Sequence, residues 1–364
     1  MKKPQVLILG RIKESLPEYV SFQTKFECIR YTASSVDQLI KDFSSSLRNI
    51  QAIYGNWGGL ASFGGFKGKL LEAAPRSLKI IAICQVGYDE FDLAAMKERG
   101  IILTNVPTPL AFEAVADLVL YNTLMAFRNF KLYENNMSPT LNNTNLLRNS
   151  LVNGQFDQET GKCIVPPIVG CAFADSVCER ENLSPRGHNA VIIGFGRIGK
   201  LAAQRLNAIG MNIHYVKRTQ CSPEVEQELS FPVTYHKSIE EAGRIADLLV
   251  ICCPGTPSTK HLINSDTLDK MEKQIRIINI GRGTVIDENA LVCGLKSDKV
   301  AFAALDVFEE EPFIHPGLIG RQDVHLTPHI GSSTSELFNY TAKQAMQNIS
   351  TALYNTNEEM NLVV

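Results

Sequence analysis

The chain has 364 residues, 45% of them hydrophobic and 20% charged, with a single tryptophan. At about 150 residues per domain this length suggests two domains, and the composition excludes both a small stapled scaffold and a globally disordered chain. Thirty-six Lys and Arg against 38 Asp and Glu leave a net charge of −2, with no basic block to neutralise a run of phosphates, so no nucleic-acid partner is expected.

The N-terminal apolar run, Val6 to Gly10, is too short for the core of a leader and no small-residue cleavage site follows it. It reads as a first strand. Further β-branched runs at 26–31, 52–54, 78–84 and 101–104 alternate with helical-period segments and suit one parallel sheet. The apolar stretch 111–127 contains Glu113, Asp117 and Asn122, so it is expected to be a buried helix within 111–131, and no membrane partner is expected.

The polar, Asn- and Pro-rich segment 134–185 has few periodic apolar residues and is expected to be irregular. A lid, a dimer arm and a disordered insert are all open to it. A second series of runs, at 190–193, 212–216, 247–252, 276–279, 300–305 and 324–326, suits a second sheet. The last segment, 335–354, has Leu337, Tyr340, Ala345, Ile349 and Leu353 at helical spacing, and with no strand after it this helix is expected to pack on the first sheet.

Nine cysteines without a secretion signal point to reduced thiols and a cytoplasmic location. Cys163, Cys171 and Cys178 lack partner histidines at zinc-site spacing, so no metal is expected, and Cys252 and Cys253 read as small core residues.

Gly194-Phe195-Gly196-Arg197-Ile198-Gly199 follows an apolar strand and opens a helical segment, the setting in which Gly-x-Gly-x-x-Gly binds a dinucleotide. The first glycine permits the turn, the second lets the backbone approach a pyrophosphate, and the third lets helix pack on strand, while free amides at the helix start hold the anion. The next strand ends in Lys217-Arg218-Thr219, with none of the Asp or Glu that would accept from a ribose 2′-hydroxyl. Lys217 and Arg218 would meet a 2′-phosphate through charge-assisted hydrogen bonds of about 1.5–3 kcal/mol each. NADP(H) is therefore the expected cofactor, with NAD(H) possible.

Three more segments end strands of the second series: Asn279-Ile280-Gly281-Arg282-Gly283, Asp306-Val307-Phe308-Glu309-Glu310-Glu311-Pro312, and Thr327-Pro328-His329-Ile330-Gly331. With the glycine turn they resemble the D-isomer-specific 2-hydroxyacid dehydrogenases over nearly the full length. The branch with fungal glyoxylate/hydroxypyruvate reductases and D-mandelate dehydrogenases looks most similar, through Ser184-Pro185-Arg186-Gly187-His188 and Gly87-Tyr88-Asp89. The resemblance implies an α/β fold of two Rossmann-like lobes with parallel sheets. Residues 1–109 plus 332–364 would form a flavodoxin-like substrate domain and 110–331 the dinucleotide-binding domain. It further implies Arg282, Glu311 and His329 as catalytic residues, and Val86 and Gly87 as amides for the substrate carboxylate. Cys253, Pro254, Ile280, Asp306 and Gly331 would be further cofactor contacts, and the molecule a homodimer.

These residue types suit reduction of a 2-keto acid, which needs a hydride at the carbonyl carbon and a proton at its oxygen. Arg282 can fork onto carboxylate and carbonyl oxygens, and His329 can deliver the proton, with Glu311 favouring the imidazolium and fixing its orientation. NADPH-dependent reduction of glyoxylate or hydroxypyruvate to a D-2-hydroxy acid is the expected activity. The alternatives are an NAD-dependent dehydrogenase of bulkier aromatic or branched substrates, or a non-enzymatic dinucleotide-sensing protein like the corepressors built on this fold. Trp57, Tyr88 and Phe313 are candidates for shaping the substrate pocket.

Overall fold

The computed structural model describes every residue except Met1, Ala33, Trp57, Gly58, Ala61, Ser62, Thr140, Asn355, Asn357 and Glu358, so the pocket candidate Trp57 lies outside the described residues. The chain forms two compact units, Met1–Ala111 with Ser333–Val364, and Phe112–Ser332.

The first unit is built on β1 (Gln5–Leu9), β2 (Glu27–Tyr31), β3 (Ile50–Gly55), β4 (Ile80–Ile83) and β5 (Ile102–Thr104), all parallel, in the order β2-β1-β3-β4-β5. Its central strands read as unbroken apolar runs because helices cover both faces, as parallel sheets require. One face holds Leu7, Leu9, Ile53, Ile81 and Leu103. The other holds Val6, Ile8, Ala52, Tyr54, Ile80 and Ala82 against Ala342, Ala345, Met346 and Ile349 of the helix Ser335–Tyr354. The C-terminal helix thus completes the first unit, each fully buried Ile or Met stabilising it by about 1.5–3 kcal/mol.

The second unit contains β6 (Gln155–Asp157), β7 (Lys162–Ile164), β8 (Ser176–Val177) and β9 (Arg180–Glu181) as two small hairpins. They are followed by a seven-stranded parallel sheet of β10 (Asn189–Ile193), β11 (Asn212–Val216), β12 (Val233–His236), β13 (Leu248–Ile251), β14 (Ile275–Asn279), β15 (Val300–Leu305) and β16 (Val324–Leu326). The order β12-β11-β10-β13-β14-β15-β16 reverses direction between β10 and β13. Such a switch point, beyond the carboxyl ends of the strands, is where open α/β sheets bind ligands.

The helix Pro109–Arg128 is long and apolar enough to cross a membrane, yet its Val119, Met125, Ala126 and Phe127 pack in the core with Ala190, Ile192, Leu248 and Val250. It stops at Asn129, whose φ of 49° is left-handed, and a second helix runs over Phe130–Asn136.

The segment 134–185 corrects the expectation of irregular structure. It carries the helix Thr144–Val152 and both hairpins, around a small core of Leu132, Leu151, Phe156, Val177 and Cys178. Arginines fasten it to the sheet. Arg180 lies over the Phe156 ring at 3.8 Å, donates to the Ala301 carbonyl at 2.6 Å and pairs with Asp298 and Asp323. Arg321 grips Asp323 at 2.8 Å and donates to the Gln158 and Glu159 carbonyls. The segment is a buttress on the β15–β16 end of the second unit.

Candidate active site

The glycine turn sits at the switch point. Gly194 has φ of 94°, and a Cβ there would lie 2.7 Å from the Cys253 amide nitrogen, so only glycine fits. At Gly199 a Cβ would lie 2.3 Å from the Gly194 carbonyl oxygen, which fixes how closely helix Arg197–Ala208 sits on β10. At Gly196 a Cβ would meet nothing within 4 Å. That open side faces no protein atom, and no side chain caps the helix that Gly196 begins, so its first-turn amides are available to an anion. A pyrophosphate fits this cradle.

The other expected cofactor residues surround the same strand ends. Phe195 is buried and stacked on Tyr215, so it offers backbone and not its ring. Arg197 is exposed, its guanidinium 5.4 Å from the Phe112 ring, and Ile198 is half-buried beside it. The Gly194 amide donates to the Val216 carbonyl at 2.9 Å, which puts the exposed Lys217, Arg218 and Thr219 directly after the strand end that adjoins the turn. Cys253 is buried in the core and Pro254 accepts from Thr259 Oγ1 at 2.7 Å. The Ile280 amide donates to the Ile251 carbonyl, closing β14 onto β13.

Arg282 is presented by a turn that Asn279 clamps from both sides. The buried Asn279 side chain donates to the Arg282 carbonyl and accepts from the Gly281 amide, each at 3.0 Å. Next to it, a Cβ on Gly283 would fall 1.8 Å from the Phe308 carbonyl carbon, so this turn rests directly on the backbone of the acidic segment. Asn279 thus holds the turn that carries Arg282, which its place in the Asn-x-x-Arg-Gly run did not reveal.

The three consecutive acids have three different fates. Glu309 turns inward, paired with His261 and accepting from the Glu288 amide at 3.2 Å. Glu310 faces solvent. Glu311 accepts from the Phe308 amide through Oε1 at 3.0 Å and meets His329 Nδ1 through Oε2, also at 3.0 Å. Burial pushes the Glu311 carboxyl up, but His329, the Phe308 amide and the Arg282 guanidinium outweigh it and hold the group below its ordinary value. Arg282, Glu311 and His329 are therefore electrostatically joined.

Asp306 is buried, and its three side-chain hydrogen bonds run to the loop that carries His329. Oδ1 accepts from Thr327 Oγ1 at 2.7 Å and from the Ile330 amide at 2.8 Å, and Oδ2 accepts from the Gly331 amide at 2.8 Å. His329 itself has φ of 54°, a strained value that this clasp holds in place. In the first unit, Val86 and Gly87 follow β4 in a bend held by Asn105 and Gln85, and neither amide N–H has an acceptor among the described residues. Tyr88 and Phe313 are exposed. Among the described residues no group of three or more His, Cys, Asp or Glu gathers as a metal site.

A parallel sheet with a dinucleotide cradle at its switch point, and an Arg, Glu and His joined at neighbouring strand ends, defines a nicotinamide-dependent oxidoreductase. Residues 175–331 match the profile of the D-isomer specific 2-hydroxyacid dehydrogenase NAD binding domain. A glyoxylate/hydroxypyruvate reductase of Arabidopsis thaliana is 30% identical over 327 residues, spanning 90% of this chain and 89% of the relative. The holo D-mandelate dehydrogenase of Rhodotorula graminis superposes with a TM-score of 0.80 at 28% identity, over 96% of this chain and 94% of that one. The NADPH-dependent glyoxylate/hydroxypyruvate reductase of Sinorhizobium meliloti, solved with NADP and malonate, gives a TM-score of 0.74 at 27% identity, over 100% and 97% of the two chains. The chain belongs to the D-isomer-specific 2-hydroxyacid dehydrogenase family, and is an oxidoreductase of CH–OH groups that uses a nicotinamide dinucleotide.

Proposed function

We propose that the protein reduces small 2-keto acids, glyoxylate and hydroxypyruvate foremost, to D-2-hydroxy acids at the expense of NADPH. The observation that carries this reading is the Glu311–His329 pair within electrostatic reach of Arg282. The hydride comes from the nicotinamide when the cofactor is bound. Arg282 forks onto the substrate carboxylate and carbonyl oxygens, orienting the carbon and polarising the bond as negative charge develops on oxygen. With Nδ1 committed to Glu311, His329 gives its proton to that oxygen from Nε2. Glu311 stays ionised, stabilises the imidazolium and keeps its ring turned.

The 2′-phosphate would be held by Lys217 and Arg218, with Thr219 beside them, and no acid stands in this run to accept from a 2′-hydroxyl. The NADPH-dependent relative of known structure supports the same preference. All nine cysteines are free thiols, which suits the cytosol, and the assembly we expect is a homodimer.

The likeness to D-mandelate dehydrogenase favours a second reading, in which aromatic or branched 2-hydroxy acids are the substrates and NAD the cofactor. NADPH and NADH oxidation followed at saturating glyoxylate, hydroxypyruvate, phenylglyoxylate and 4-methyl-2-oxopentanoate separates the two. Preferred turnover of the two small acids with NADPH is expected. Preference for the bulky acids with NADH establishes the second reading, and no turnover on any of the four removes both.

A further inference from the structure

Tyr215 connects two parts of the cofactor site, the glycine turn and the basic run that follows β11. It is fully buried near the end of β11, and its ring stacks on Phe195 of the glycine turn, with centroids 4.3 Å apart and planes 17° from parallel. Its hydroxyl accepts the Cys221 amide at 3.1 Å and donates to Glu226 Oε1 at 2.5 Å. Cys221 Sγ in turn receives Lys217 Nζ at 3.8 Å.

The run Lys217 to Gln220 leaves β11 beside the glycine turn and is brought back to the hydroxyl of the same strand. Its four residues are exposed and in no regular element, so this return is what gives the loop a fixed shape. A further bond, from Gln220 Nε2 to Glu226 Oε1 at 3.4 Å, ends on the carboxylate that Tyr215 holds. A loop that must be ordered on binding loses affinity to that ordering, whereas a loop already fixed in the folded protein does not. Burial and the hydrogen bond to Glu226 push the Tyr215 phenol well above its ordinary value, so it keeps its proton and its donor role at working pH. Packing on Phe195 alone would be satisfied by phenylalanine. The hydroxyl is spent on the basic loop.

We propose that Tyr215 is a positioning residue for cofactor selectivity: its hydroxyl holds the Lys217–Arg218 loop against the glycine turn in the shape that receives a 2′-phosphate. This rests on the NADPH reading above. A dinucleotide without that phosphate has no group for the Lys217–Arg218 loop to receive, so its binding does not depend on the hydroxyl.

The test compares wild type with Tyr215→Phe, which keeps the ring and removes both hydrogen bonds. Affinities for adenosine 2′,5′-bisphosphate and AMP are measured by calorimetry, and KM for NADPH and NADH at saturating glyoxylate. The bisphosphate Kd and the NADPH KM are expected to rise about five- to fiftyfold. The AMP Kd, the NADH KM and kcat should stay within about twofold. Parallel loss for both nucleotides, or no change for either, overturns the role of Tyr215. Glu226→Ala removes the acceptor of the hydroxyl on a partly exposed helix; it should shift the same quantities in the same direction, and decides the matter if Tyr215→Phe does not fold. Wild type that binds the bisphosphate no better than AMP defeats the NADPH reading itself, whereas a discriminating wild type with an equally discriminating Tyr215→Phe defeats only this inference.

Discussion

His329 Nδ1 and Glu311 Oε2 stand 3.0 Å apart, and the other oxygen of the same carboxylate is held by the Phe308 amide at 3.0 Å. The carboxylate is thereby fixed by the backbone and orients the ring. Glu311→Gln keeps the shape but removes the charge beside the imidazole. Turnover of a 2-keto acid at neutral pH is expected to fall about 10- to 10³-fold, short of the ceiling of about 10⁴ for general acid catalysis, with little change in KM for the cofactor. Unchanged turnover would show that the pair is only structural.

The same carboxyl gives a pH signature in stability. Its value in the folded protein lies below the ordinary glutamate value of about 4.3, so its ionised form favours folding. That contribution is complete above about pH 4.3 and disappears as the pH falls through the lower, folded value. The gap in urea midpoint between wild type and Glu311→Gln is expected to narrow below pH 4.3. A gap that widens with acid would reverse the sign.

The glycine turn separates stability from binding. Gly199→Ala places a Cβ 2.3 Å from the Gly194 carbonyl oxygen, a backbone atom, and should cost about 1–3 kcal/mol or more in thermal or urea unfolding. Gly196→Ala meets nothing within 4 Å and should cost no more than about 1 kcal/mol as a helix cap. Its Cβ instead occupies the space a pyrophosphate needs, so cofactor Kd should rise at least about tenfold. Equal affinity in Gly196→Ala and wild type would place the pyrophosphate elsewhere.

Asp306 is expected to matter through the loop it clasps. Asp306→Ala leaves the Ile330 and Gly331 amides and Thr327 Oγ1 without their acceptor, and should cost about 2–5 kcal/mol of stability. Freed from the clasp, His329 relaxes from its positive φ, so turnover should fall well before the protein unfolds. Full activity in a destabilised Asp306→Ala would detach the clasp from catalysis.

Much of this arrangement was legible in the chain. The strands flanking the glycine turn are unbroken apolar runs, because a parallel sheet is covered on both faces, and the turn itself has few alternative uses in that setting. The edge strand β12 was missed, since Val233–His236 follows Pro232 and is only half-buried, with none of the apolar density of its neighbours. The buttress at 134–185 stayed hidden for a different reason. Its small core draws on Leu132, Leu151, Phe156, Val177 and Cys178, too widely spaced to show a period, and its anchors Arg180 and Arg321 act through tertiary ion pairs. The clasp of Asp306 on Thr327, Ile330 and Gly331 was not legible, because these partners come together only once β15 and β16 lie side by side.

The most direct test of the proposed chemistry is steady-state reduction of glyoxylate by wild type and His329→Ala, with NADPH affinity measured in parallel by cofactor fluorescence. Turnover should fall about 10²- to 10⁴-fold while the NADPH Kd stays within about twofold, because the proposed role of His329 is at the substrate oxygen and the proposed pyrophosphate cradle is Gly194 to Gly199. Turnover equal to wild type, at unchanged NADPH affinity, would contradict His329 as the proton donor.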